Sequence, residues 1–159
     1  MSEFHITREY SHPVEKLWHA LTDPELVPLW TSTGRGGRPE GFSAEVGAHF
    51  RFVGKPFPGW NGIVECEVLE VDPPFMLRHS WKGDEREPSV VTWRIEPTES
   101  GSRLTYDHTG FKGIDGIIMS KLVLGPIRRR MLEHGLPPVL DAIDESGRLR
   151  PDANLAAGS

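Results

Sequence analysis

His12-Pro13-Val14-Glu15-Lys16-Leu17-Trp18-His19-Ala20-Leu21-Thr22-Asp23-Pro24-Glu25-Leu26 holds one short amphipathic helix and the capped start of a second. Pro13 brings a backbone φ already suited to a first helical turn. Val14, Leu17, Trp18 and Leu21 recur at helical spacing, which puts Trp18 and Leu21 on the buried face. Thr22-Asp23-Pro24 then offers a cap with proline at the next helix's first position. Upstream, Phe4, Ile6 and Tyr10 share one side of a first strand. Downstream, residues 31–41 carry too many glycines and turn formers for either period and read as a loop.

From Phe42 to Thr109 the pattern is β throughout. Strands are expected over Ala48 to Val53, Asn61 to Val71, Phe75 to Lys82, Ser89 to Glu96 and Arg103 to Thr109. The breaks between them are short, which implies an antiparallel meander. Apolar residues return at helical spacing through Ile114, Ile117, Ile118, Leu122, Leu124, Ile127 and Met131, and Gly135-Leu136-Pro137-Pro138 interrupts that helix before Val139, Leu140 and Ile143. The result is an α+β plan: a curved antiparallel sheet wrapped around a long, broken C-terminal helix, with two short helices after the first strand. A single domain is expected over residues 1–147, with a flexible tail over 148–159 that has nothing to bury.

The chain has 159 residues and a formal net charge of −5, with a single cysteine, Cys66. That length supports one real core. The charge argues against a nucleic-acid partner, and one cysteine rules out an internal disulfide or a cysteine-rich metal site. With no apolar run of membrane-spanning length and no signal-peptide pattern, the chain reads as cytoplasmic and without a membrane span.

The opening stretch resembles the START/Bet v1-like (SRPBCC) superfamily, in particular the domain related to the C-terminal part of the activator of Hsp90 ATPase. Gly47-Ala48-His49-Phe50, Gly62-Ile63-Val64-Glu65, Glu70-Val71-Asp72-Pro73-Pro74, Val91-Thr92-Trp93 and Ser102-Arg103-Leu104-Thr105-Tyr106 match its successive strand signatures in order. The resemblance covers about residues 4 to 147. It implies a helix-grip fold with an apolar cavity between sheet and last helix. One departure stands out: many relatives open that helix with Gly-Trp, where this chain has Gly135-Leu136 and two prolines after a longer segment over residues 113–134.

Alternation puts Phe75, Leu77, His79 and Trp81 on one strand face, Val91, Trp93 and Ile95 on the next, and Leu104, Tyr106 and His108 on the last. His79, Tyr106 and His108 are thereby inward polar groups among aromatics. They are candidates either to orient a ligand or to act as acid and base, against the plainer reading of hydrogen-bonded core residues. Phe52, Leu77, His79, Trp81, Trp93, Tyr106 and His108, with Met119, Leu122 and Met131 of the helical region, are expected to line the cavity. Trp30, Phe57 and Trp60 fall at element ends and in loops, suiting a pocket mouth. The seven histidines show no metal-ligand spacing, so no metal and no cofactor is expected. Gly34-Arg35-Gly36-Gly37-Arg38 lacks the strand and helix that a phosphate loop requires. Arg128-Arg129-Arg130 reads as the solvated face of a helix, and Cys66 as a small buried hydrophobe.

The leading functional reading is binding of a bulky hydrophobic, aromatic or polyketide-type small molecule for sequestration, transport or self-resistance to a product such as an enediyne. A second is a polyketide aromatase/cyclase using His79, Tyr106 or His108. A third is an Hsp90-type co-chaperone module. The residues name neither the ligand nor a protein partner.

Overall fold

Apolar and polar residues alternate along the central strands of a seven-stranded sheet, and each strand pairs antiparallel with its neighbours. The structure, a computed structural model, describes residues 2–31, 38–54, 62–82, 89–111, 125–144 and 146–149. The strands are β1 (Ser2–Tyr10), β2 (Arg38–Glu40), β3 (His49–Val53), β4 (Ile63–Asp72), β5 (Met76–Trp81), β6 (Ser89–Thr98) and β7 (Gly101–Phe111). Their order across the sheet is β1-β7-β6-β5-β4-β3-β2, a meander closed at one edge by the first strand. Between β1 and β2 lie helices α1 (Val14–Thr22) and α2 (Val27–Thr31). The plan is the expected α+β helix-grip fold.

Leu17, Ala20 and Leu21 of α1 are buried with Leu26 and Trp30, and Met131, Leu132, Leu136, Val139, Leu140 and Ile143 of the C-terminal helix join them. Trp18 packs partly buried against this core. Lys16 lies on the same helix yet is only 6% exposed. Its Nζ donates to His12 Nδ1 at 3.2 Å, and His12 Nε2 donates to Asp141 Oδ1 at 3.0 Å, pinning the β1–α1 junction to the C-terminal helix.

Three expectations about the elements need correction. Residues 31–41 are not all loop: Thr31 ends α2, and Arg38–Glu40 forms edge strand β2 against β3, with Glu40 opposite Arg51. Three residues are too few for alternation to show, and a proline among them is tolerated at a sheet edge. Phe75 is not an inner residue; it sits in the turn before β5, 46% exposed, with its N–H on the Asp72 carbonyl at 2.7 Å. Nor is the C-terminal helix interrupted at Gly135-Pro138. It runs as an α segment (Gly125–Arg130), a π segment (Met131–Gly135) and a second α segment (Leu136–Ala142).

The prolines explain the π segment. Pro137 and Pro138 have no N–H to give, and in an α register their rings would strike the carbonyls of Glu133 and His134. The helix widens instead, and the Leu136 N–H reaches back to the Met131 carbonyl. This bypasses the Leu132 carbonyl, whose next donor in the wider register would be Pro137. Tyr10 of β1 supplies the missing donor, its hydroxyl lying 2.7 Å from Leu132 O. Beyond the helix the chain folds back on itself: Ile143 pairs with Leu149, and Asp144 Oδ1 accepts from the N–H groups of Ser146 and Arg148.

Candidate functional site

The period of two holds across the middle of the sheet. Leu77, His79 and Trp81 of β5, Trp93 of β6, and Tyr106 and His108 of β7 are all buried. Cross-strand register sets Leu77 opposite Trp93, and Trp93 opposite Tyr106. Trp93 and Tyr106 meet edge to face at 4.6 Å, Trp81 and His108 at 5.4 Å. From β3, Phe50 meets the His79 ring at 5.2 Å and the half-buried Phe52 meets Trp81 at 5.5 Å. Such pairs add to area burial and favour these tilted geometries.

Onto this aromatic surface the C-terminal helix lowers Arg128. Read in the sequence as part of a solvated face, Arg128 is 4% exposed, while Arg129 and Arg130 are exposed as expected. Its Cζ lies 4.7 Å from the Trp81 ring centre, 5.6 Å from Phe52 and 5.8 Å from Tyr106. Nε donates to the Tyr106 hydroxyl at 3.1 Å, and Nη1 lies 3.0 Å from Met131 Sδ. The signal was in the spacing: position 128 lies three before Met131, four before Leu132 and seven before Gly135, on the buried stripe of the helix. Its company in an Arg-Arg-Arg run obscured that.

A directed chain of hydrogen bonds follows from this contact. The Tyr106 hydroxyl accepts from Arg128 and lies 3.3 Å from His108 Nδ1, to which it donates. His108 Nε2 then donates to Ser89 Oγ at 2.7 Å, and Ser89 donates to the Trp81 carbonyl at 3.2 Å. His79 is held separately. Its Nε2 accepts from the Trp93 indole at 3.1 Å, and its Nδ1 donates to the Ser80 carbonyl at 2.9 Å. An indole nitrogen only donates, so the His79 tautomer is fixed by its partner.

Burial pushes the His79 pKa down to about 4, the Arg128 charge adding to it against the opposing hydrogen bond to the Ser80 carbonyl, and burial with the Arg128 charge pushes that of His108 to about 2. Both imidazoles are therefore neutral at pH 7. Burial raises the Tyr106 phenol and carries the Cys66 thiol to about 12. A base so weak abstracts protons poorly at neutral pH, so the geometry suits orientation and recognition better than acid–base turnover.

Of the residues expected at the site, Leu77, His79, Trp81, Trp93, Tyr106, His108 and Met131 are buried. Trp30 is not at a mouth. It is 1% exposed, its indole donates to the Ala20 carbonyl at 2.8 Å, and its ring meets Trp93 edge to face at 5.6 Å. Helix α2 ends there, but the ring turns inward where its N–H finds a partner. Phe57, Trp60, Met119 and Leu122 lie outside the described residues. Two clefts open elsewhere, one of about 430 Å³ beside Glu40, His49 and Phe50, the other of about 410 Å³ beside Tyr10, His12 and Pro137. Neither shares a lining residue with the expected cavity. Among the described residues no group of three His, Cys, Asp or Glu side chains is placed to hold a metal, and no helix is long and apolar enough to cross a membrane.

Residues 11–145 match the family model described as activator of Hsp90 ATPase homolog 1-like protein. The chain belongs to this family. Protein MLL2253 from Mesorhizobium loti is similar in structure, with 28% identity, a TM-score of 0.64, and coverage of 82% of this chain and 93% of that one. DynU16, a protein in the dynemicin biosynthetic locus, matches at 24% identity and a TM-score of 0.60, over 85% of this chain and 48% of its own. An HSP90 activator from Plasmodium falciparum, PFC0360w, matches at 24% identity and a TM-score of 0.59, over 84% of this chain and 90% of its own. The last two show a shared fold. No curated protein matches the chain significantly.

Proposed function

We propose that this chain binds a bulky, largely aromatic small molecule between the sheet and the C-terminal helix, and that it acts without chemical turnover. The observation that carries the reading is the Arg128–Tyr106–His108–Ser89 chain set into a wall of Phe52, Trp81 and Trp93. Apolar walls with a few convergent polar groups are the usual composition of small-molecule sites. The rings of Phe52, Trp81 and Tyr106 close on Arg128, so accommodation requires these side chains to part around a ligand. The place of DynU16 in the dynemicin biosynthetic locus is in keeping with a small-molecule ligand, and we take that ligand to be polyketide-type and the role to be sequestration or self-resistance. The aromatase/cyclase alternative is weakened by two neutral, hydrogen-bonded histidines. The co-chaperone alternative rests on the family description and gives the buried polar chain no task.

Native mass spectrometry of the protein purified from its own producer, together with titration of the neutral fluorophore phenylnaphthylamine, tests this. A co-purifying small molecule, or saturable fluorophore binding that Trp81→Ala weakens, is expected. Absence of both overturns the binding reading. Conversion of a bound polyketide that disappears in His108→Gln overturns the non-catalytic part of it.

A further inference from the structure

Arg128 is the feature of the interior that the fold alone does not explain. Arginine stays charged in proteins and presents five N–H donors in a fixed fork. Here that fork is almost wholly withdrawn from water, and each of its contacts is neutral: a phenol, a thioether and three ring faces. Among the described residues it has no carboxylate partner, and its Nη2, which makes no hydrogen bond, keeps the small solvent contact left to the side chain. The remaining titratable groups around it offer no counter-charge either, because burial keeps Tyr106 and Cys66 protonated and His79 and His108 neutral. A lone buried cation is costly, and aromatic faces offset only part of that cost.

We infer that the interior site takes an aromatic ligand bearing one acidic group, a carboxylate or an ionised phenol or enol, which seats on the Arg128 guanidinium. This deepens the binding reading above and rests on it. The geometry favours an anion over a neutral polar group for two reasons. The unused Nη2 donors lie beside the Nη1 edge, where a two-oxygen group pairs side by side. In a site withdrawn from water a charge pair is also worth far more than at the surface. The rings that now cover the guanidinium supply faces for the ligand's own aromatic body. A cationic ligand is excluded by the same charge.

Two fluorophores with a common aromatic body separate the possibilities: anilinonaphthalenesulfonate, which carries one anionic group, and phenylnaphthylamine, which does not. Each is titrated at pH 7 into the full chain as wild type, Arg128→Met, Arg128→Lys and the surface control Arg129→Met. The wild type is expected to hold the anionic probe at least about tenfold more tightly than the neutral one, as a desolvated charge-assisted pair requires. Arg128→Met should erase that preference while keeping the neutral probe, Arg128→Lys should keep part of it, and Arg129→Met should change nothing. Circular dichroism shows which variants are folded; if Arg128→Met is not, the wild-type ratio and Arg128→Lys decide. Equal affinity for both probes in the wild type, or a preference that survives in Arg128→Met, overturns the acidic-ligand inference and leaves the binding reading standing. Failure of both probes to bind the wild type overturns the acidic-ligand inference, and with no co-purifying small molecule it overturns the binding reading as well.

Discussion

The Trp93 indole donates a 3.1 Å hydrogen bond to His79 Nε2, and through it one strand dictates the protonation state of a side chain on the next. Trp93 cannot accept, so His79 must offer a lone pair at that nitrogen and carry its proton on Nδ1. Trp93→Phe keeps an aromatic ring in place but removes the N–H donor together with the second ring of the indole. It should destabilise the fold by about 1–3 kcal/mol for the unpaired buried acceptor, with a further loss for the space the indole leaves. It should also raise the His79 pKa above about 4, since protonation of Nε2 no longer breaks a hydrogen bond, while burial, the main cause of the shift, remains. Urea unfolding reads the first effect and an NMR titration of the imidazole the second; an unchanged titration would show that the indole does not set the tautomer.

Two buried neutral histidines make stability depend on pH in a definite direction. The unfolded chain binds a proton on each imidazole near pH 6.5, whereas the folded one resists until about 4 for His79 and about 2 for His108. Below pH 6.5 the unfolded state therefore holds more protons, and acidification favours it. The stabilisation is full above that pH and is lost as pH falls toward the folded values. Each group should contribute a loss of about 2 kcal/mol between pH 7.5 and pH 5, at 1.36 kcal/mol per unit. Urea midpoints across this range measure it. His79→Gln and His108→Gln should each flatten the profile, and a profile as steep in the double variant would assign the effect elsewhere.

Tyr10→Phe probes the contact that the helix prolines make necessary. The Leu132 carbonyl is bypassed by Leu136 and faces a proline at 137, so the Tyr10 hydroxyl is its donor. Losing that hydroxyl strands a buried carbonyl and should cost about 1–3 kcal/mol in chemical denaturation. Restoring a backbone donor with Pro137→Ala should make the Tyr10→Phe change cheaper. If the cost of Tyr10→Phe is the same in both backgrounds, the orphaned-carbonyl explanation is wrong.

The fold was readable from the chain because its signals are local and repeated. Leu17 and Leu21 mark a helical face, and the alternation of Leu77, His79 and Trp81 survives into the sheet. What escaped reading depends on contacts remote in sequence. Arg38–Glu40 becomes a strand only through its pairing with β3. Trp30 turns inward because the Ala20 carbonyl is there to accept its N–H. Gly135-Pro138 looks like a break until the wider helix and Tyr10 are both in view. Arg128 was hidden by composition: beside two exposed arginines a third reads as solvated, and only its phase with Met131 and Leu132 says otherwise.

The stacking of Arg128 over Trp81 at 4.7 Å is the closest of its three ring contacts and should be measurable as a coupling. Trp81→Leu removes the ring face, and Arg128→Met removes the charge while keeping an apolar stem. Each single change also alters packing, so only the cycle isolates the pair. A desolvated cation over an indole is worth roughly 1–2 kcal/mol, and the double variant should be more stable than the sum of the single losses by about that amount. Urea unfolding of the four proteins at pH 7.5, where both histidines are neutral, gives the number. Strict additivity would mean that the indole only fills space beneath Arg128, and that the Tyr106 hydroxyl, its hydrogen-bond acceptor, holds the charge in place.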